Sequence, residues 1–423
     1  MPIGYLYKED LDEEFIKEKL SIFYKNKTRK NRISIIKIEK DTERCLHIIS
    51  SILYTLYSKK RKGKNIPYTE YVPLYSQILK TILGTSYKSL LDFLLSEEII
   101  ETRLNDDGNQ SYQAGYISKV YRINRKYTKS KTSHKQYKFL TEAIEKAQLK
   151  NYNDLSPIHK HLYSFLKDLY FENGYNWQKR HLPNIEMFKC QNGNTNYKVD
   201  KSGRSYHKLT NMFSFSRHFL KYNDENLVSI DCANSQPLLL YNFYERENNV
   251  NDDAIKYRDL VISGNFYEYL LKKYSEKYKK NYIRKEFKEL VYTYILFNHR
   301  KFNKDILKIF KEEFPSIYMT ISLNQRFKDD LSSKLRYEES ELWINKIANN
   351  IYKYNKEIPI FVLHDSIFTT QKYYKEVYKI IKDTFSNELG YIPKLHKKFY
   401  GKDSKDFMND SIEYDKERIK LKQ

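Results

Sequence analysis

Two apolar runs, each carrying one aspartate, constrain this chain more than anything else in it. Leu227-Val-Ser-Ile-Asp-Cys-Ala-Asn-Ser-Gln-Pro-Leu-Leu-Leu-Tyr241 reads as a buried strand, 227–230, that ends on Asp231. A polar turn, 234–236, follows, and Pro237 opens an apolar run that can begin a helix, because proline is tolerated in a helix's first turn. The second run, Ile358-Pro-Ile-Phe-Val-Leu-His-Asp-Ser-Ile-Phe-Thr-Thr370, reads as a strand with Asp365 in its middle. A carboxylate at the end of a buried strand costs free energy unless something compensates it, and a metal ion is one such compensation. Two strand-borne aspartates in a strongly basic chain suggest a two-metal phosphoryl-transfer site.

The chain has 76 basic and 54 acidic residues, a net charge of +22. That excess favours a polyanionic partner, with nucleic acid first. A compositional skew toward Lys, Asn, Ile and Tyr explains part of the lysines and the 41 tyrosines. Cys45, Cys190 and Cys232 are far apart, without paired-ligand spacing, so neither a disulfide framework nor a zinc site is indicated. A reducing, cytoplasmic setting is expected. The first residues lack the apolar stretch of a signal peptide. No run approaches the roughly 20 apolar residues that span a bilayer, so no membrane association is expected.

At 423 residues, several domains are expected. Residues 1–67 form a charged, partly helical segment; Arg44 to Lys59 has helical apolar spacing, and Lys59-Lys-Arg-Lys-Gly-Lys64 reads as a basic loop. Residues 68–127 form a compact unit. It comprises a helix over 71–83, a turn at Gly84, a helix over 87–96 capped by Ser86, a strand over 99–104, an Asp-Gly hairpin turn and a return strand ending at Ile123. Residues 128–200 read as a basic connector followed by helix, with a loop from Gly193 to Gly203, and 201–423 as the unit that holds both aspartates. The fold class expected is α+β.

The 68–127 pattern resembles a winged helix-turn-helix domain. In that family the second helix enters the major groove and the wing touches the backbone. Lys88 is the one evident base on the presumed reading helix, so protein docking stands close behind DNA reading as a use for such a unit.

From Ser202 onward the chain resembles the palm and fingers of family A DNA polymerases and of the related single-subunit RNA polymerases. Ser202-Gly-Arg204 is similar to the Thr-Gly-Arg before the first catalytic strand. Arg204 and, further on, Arg217 fall where that family contacts template or primer. Ile230-Asp-Cys-Ala-Asn-Ser-Gln236 is similar to motif A. Asp231 falls on the first catalytic aspartate, and Cys232 would lend its backbone carbonyl to the metal. Gln236 stands where the DNA polymerases have the glutamate that blocks a sugar 2′-hydroxyl; it keeps the bulk and loses the charge. Arg284, Lys288 and Tyr292 are similar to motif B, and their i, i+4, i+8 spacing independently puts them on one helical face. Two cations there can hold a triphosphate, and the tyrosine can stack on a base. His364-Asp365-Ser366 is similar to motif C in its RNA polymerase form, with Asp365 the second catalytic aspartate and His364 at the primer end.

The resemblance covers 202–400 and implies an antiparallel palm sheet with helical fingers. The implied activity is nucleotidyl transfer to a 3′-hydroxyl with two Mg²⁺ (or Mn²⁺) ions on Asp231 and Asp365. The implied partners are DNA or RNA and nucleoside triphosphates, with a protein partner for the winged-helix-like unit. The bulk of Gln236 tilts the expectation to deoxynucleotides, hence a DNA polymerase. Two alternatives stand beside it: an RNA polymerase or primase, and a non-catalytic replication-initiation or DNA-binding protein.

Overall fold

The computed structural model describes residues 4–27, 34–61, 70–104, 119–172, 197–297 except 211, 213 and 249, 304–326 and 331–420. The fold is mixed α+β, with small antiparallel sheets among many helices.

Apolar side chains gather into two cores. The first runs from Tyr5 to Ile144 and joins the 1–67 segment, the 68–127 unit and the start of the connector. The second runs from Ile158 to Tyr400. The expected break between 1–67 and 68–127 is therefore not a break between cores. Its reason lies in the helix Ile35–Arg61, whose buried face (Leu46, Ile49, Ile52, Leu53, Leu56) is the floor on which the next unit packs. This helix also takes in the first three residues of the expected basic loop; 62–64 lie outside the described residues.

Strand β1 (Gly4–Lys8) leads into the first core, followed by β2 (Val72–Pro73), β3 (Ile100–Thr102) and β4 (Val120–Ile123). The last three form a sheet in the order β2-β4-β3, beside helices Ser76–Leu83 and Tyr87–Ser96. Two local expectations change here. Residues 72–73 are strand rather than helix, because β4 offers them a partner edge. Ser86 does not cap: a 3-10 turn over Gly84–Ser86 already holds it in helical conformation, and its hydroxyl donates back to the Leu83 carbonyl. The Asp-Gly turn lies outside the described residues. The basic connector is not a free linker either. Within it β5 (Thr132–Gln136) pairs along all of β1, and Glu43 accepts N–H groups from Lys138, Phe139 and Leu140.

The second core is built on a six-stranded sheet. Strand β6 (Leu169–Phe171) starts it. A small separate hairpin of β7 (Lys198–Val199) and β8 (Ser205–Tyr206) stands where a loop is expected. Strands β9 (Leu220–Tyr222) and β10 (Glu225–Cys232) are joined by a tight turn in which Asn223 and Asp224 both take left-handed backbone, as a two-residue hairpin requires. Strand β10 is then flanked by β12 (Ser366–Thr370) and β13 (Leu395–Phe399), and β11 (Phe361–Leu363) lies outside β12. Helices between Asp252 and Tyr354 fill the space between the two aspartate segments in sequence.

The helix Lys405–Lys420 is fastened through two carboxylates: Asp406 accepts the Phe399 N–H of β13 at 3.1 Å, and Asp410 gathers side chains from β13 and from the segment before β9. Asp410 accepts from Ser214 Oγ at 2.8 Å and Lys398 Nζ at 2.5 Å, and lies 3.0 Å from His218 Nε2. The Gly401 N–H donates to His218 Nδ1, which leaves Nε2 as the donor toward Asp410. Although burial opposes it, this set of donors holds the Asp410 carboxyl down at about 2.

Candidate functional site: two acids at a strand end

Strand β10 delivers Asp231 near its end, opposite Ser366 on one side and His396 on the other. Asp365 is not within a strand, as its apolar surroundings suggest, but in the two-residue turn that joins β11 to β12. The turn is possible because His364 takes a left-handed backbone, φ 55°. The two acids are brought together by the main chain: the N–H of Cys232 donates to the carbonyl of Asp365 at 3.2 Å. Cys232 itself is buried beside them.

Both residues keep some exposed surface, so a small solute can reach them, yet dense surroundings weigh on their charge. Burial first, then the Asp365 charge, raises the Asp231 carboxyl to about 8; burial also raises Asp365. Two such carboxylates cannot ionise cheaply without a cation. Lys288 opposes the shift at both. The donor set fits a hard divalent ion. Among the described residues no third acid, histidine or cysteine completes a metal cluster. Mg²⁺ takes hard oxygen donors and can be held by one or two carboxylates.

The cationic helix begins at Arg284 and runs to Val291, then continues as a π-helical stretch, Tyr292–Phe297. Lys288 Nζ lies 5.5 Å from the Tyr292 ring and 5.6 Å from that of Tyr267, and these two rings stack at 6.2 Å. Arg284 shares this face, 5.9 Å from Tyr267, with its guanidinium paired to Glu268. Charge from Asp365, Glu339 and Asp231 reaches Tyr292 and helps raise its hydroxyl pKa, behind burial.

Glu339 was not evident from the sequence. It sits in the acidic run Glu338-Glu339, which looks like a solvated face. Yet Leu331, Leu335 and Glu339 recur every four residues, and all three are buried. That spacing is the signal that could have found it. Gln236 Nε2 donates to Glu339 Oε1 at 2.6 Å, and Arg204 lies 2.5 Å from Oε2. Burial raises the Glu339 carboxyl to about 7; Arg204 opposes this and Asp365 adds to it.

Arg204 is carried to that place by the β7–β8 turn. Asp200 gathers the turn by accepting from Ser202 N and Oγ, Arg204 N and Tyr206 Oη. Gly203 has φ 82°, and a Cβ there would meet Ser340 Oγ at 2.8 Å. Glycine thus permits both the bend and the close approach to helix Leu331–Ser340.

His364 packs edge-on to Tyr206 at 6.1 Å, with Nδ1 buried and unpartnered. Burial, with Arg204 and Arg217 adding, lowers its pKa to about 4, so it is neutral at pH 7. Arg217 is close enough to act on His364 but is engaged inward. It donates to the Met212 carbonyl at 3.0 Å and lies 5.4 Å over the Phe368 ring.

The structure therefore links Asp231, Asp365, Lys288, Tyr292, Gln236, Arg204 and His364 through contact or charge, holds Arg284 on Glu268 at the rim, and turns Arg217 to main-chain carbonyls. Among the described residues no helix is long and apolar enough to cross a membrane. No known protein-family model matches this chain, and no curated protein sequence matches it.

Proposed function

We propose that this protein is a polymerase-type nucleotidyltransferase, with the acid pair on Asp231 and Asp365 as its centre and β10–β12 as a palm of family A kind. The observation that carries the reading is the pair itself: two acids on segments joined by the Cys232 N–H to Asp365 carbonyl bond, both raised by burial, with the charge of Lys288 acting on both. A structural acid would be neutralised by fixed donors, as Asp410 is. Asp231 and Asp365 would hold Mg²⁺ or Mn²⁺, whose chemistry there would be acidification of a hydroxyl and offset of phosphate charge. Lys288 supplies a point charge for the triphosphate, and Arg284 a second one on release from Glu268. Tyr267 and Tyr292 offer a stacking face for a base. Neutral His364 can donate or accept at a primer end without adding charge beside the acids. The helices of 252–354 are read as fingers, and the 70–123 unit as a winged-helix-like module for duplex or protein.

The test is labelled-nucleotide incorporation on primed, unprimed and template-free substrates with Mg²⁺. Incorporation by the natural chain and its loss in Asp231→Ala and Asp365→Ala support the reading. Specific duplex binding with no incorporation on any substrate would replace it with a non-catalytic DNA-binding role.

A further inference from the structure

Away from the acid pair, a cavity of about 500 Å³ opens among three helical segments. They are the end of helix Ser235–Glu247, the junction of helix Leu331–Ser340 with the π-helical stretch Glu341–Ala348, and the end of helix Tyr374–Leu389. Its size is that of a ligand pocket. Gln236 lies at the acid-pair end of the first helix and Glu245 at the cavity, roughly 14 Å apart along the helix axis.

The walls carry four carboxylates and two cations. Arg246 is paired with Glu338, and Lys346 lies 3.3 Å from Glu388. Glu245 and Glu341 are in no ion pair among the described residues. Each accepts from a neutral donor instead, Tyr241 Oη at 3.0 Å and Asn345 Nδ2 at 2.5 Å. The cavity thus holds two carboxylates in excess on a chain of net charge +22. A second observation is independent of charge. Asn242 also lines the cavity and is only 5% exposed. Its Oδ1 accepts from Tyr391 Oη, and its Nδ2 makes no hydrogen bond among the described residues. An idle donor on a buried side chain is costly, and here it is the end of the amide that can serve a guest in the cavity.

Excess carboxylates repel nucleic acid and phosphate, so the guest is not a polyanion. They fit an ammonium or guanidinium group. Buried Leu239 and Leu342 fit the aliphatic stem on which lysine or arginine carries that group, and the exposed Tyr337 ring attracts a cation to its face. The Asn242 donor fits a main-chain carbonyl, which a simple polyamine lacks. We propose that this cavity is a docking site for a lysine- or arginine-bearing peptide segment of a partner protein. Such docking is independent of any chemistry at the acid pair.

The experiment follows the fluorescence anisotropy of a labelled basic pentapeptide, Gly-Lys-Arg-Lys-Gly, with the full chain at about 0.15 M salt, where loose surface attraction is screened. The net charge of +22 itself opposes non-specific capture of this probe. Saturable binding to the natural chain is expected. It should weaken about ten-fold or more when Glu245→Gln and Glu341→Gln are combined, and by a similar factor when the lysines of the peptide are acetylated. The melting temperature of the double variant should match that of the natural chain, since both acids stand outside any ion pair. Absence of saturable binding, or equal affinity in the folded double variant, overturns the proposal. Spermidine that binds as tightly as the peptide overturns the peptide as occupant and assigns the cavity to a small polycation.

Discussion

Asp410 and Asp231 are both hemmed-in carboxylates in the same core, and their pKa values move in opposite directions. Asp410 is met by a lysine, a histidine and a serine hydroxyl, and falls to about 2. Asp231 is met by a second acid, with Lys288 and Lys398 only opposing through space, and rises to about 8. The first cluster spends its donors on holding the helix Lys405–Lys420 to β13 and to the segment before β9. The second leaves its charge unresolved. Buried acidity by itself thus says little; what separates a fastening from a candidate site is whether the protein has supplied the counter-charge itself.

The sharpest way to test that contrast is to remove each carboxylate charge in turn. Asp231→Asn and Asp365→Asn should each cost incorporation about 10³-fold or more, measured as kcat with Mg²⁺. Neither should lower the melting temperature of the metal-free protein at pH 8, because each removes an unfavourable charge. Asp410→Asn should do the reverse. A loss of about 3 kcal/mol in denaturant unfolding is expected, from a lysine and a histidine left unpaired. A stable Asp410→Asn, or an unstable Asp231→Asn, would break the comparison.

The pH dependence follows the same division. Asp231, Asp365 and Glu339 have folded pKa values above the roughly 4 of an unfolded carboxyl. Their contribution is therefore fully present below about 4 and is lost as pH rises, through about 7 for Glu339 and about 8 for Asp231. Asp410, depressed, contributes above about 4, and that contribution is lost as pH falls through about 2. Metal-free melting temperature should decline between pH 6 and 8.5, and added Mg²⁺ should restore more of it at pH 8.5 than at pH 6, since the ion binds the deprotonated pair. A Mg²⁺ shift equal at both values would argue against the pair as the metal site. The smallest effect expected is that of Gly203→Ala. Left-handed backbone and contact with Ser340 should cost about 1–2 kcal/mol of stability and displace Arg204 from Glu339. Nucleotide incorporation by that variant, set beside its melting temperature, reads the displacement.

The α+β class and the strand that carries Asp231 were legible in the sequence because a strand-length apolar run with one acid has few other solutions, although the strand runs from Glu225 to Cys232 rather than stopping at Asp231. The cationic face of 284–292 was legible through helical spacing. What was not legible depended on distant partners. Residues 132–136 pair with β1 more than a hundred positions upstream, and no local pattern announces that edge. Ser86 looked like a cap until the preceding turn proved already helical. Glu339 hid among neighbouring glutamates, and its meaning comes from Gln236 and Arg204, which reach it from segments about a hundred residues or more upstream.

Strand β10 lies between β12 and β13, which come from residues 366–370 and 395–399. During synthesis, the chain from 233 to about 400 must therefore emerge before β10 has both neighbours. The first core needs nothing beyond Ile144 and can close long before. A ribosome-bound chain would carry a finished N-terminal body while its acid-bearing strand still presents two open edges, a hazard for pairing with other chains. The surroundings of Asp231 are therefore completed only after residues 366–399 have emerged.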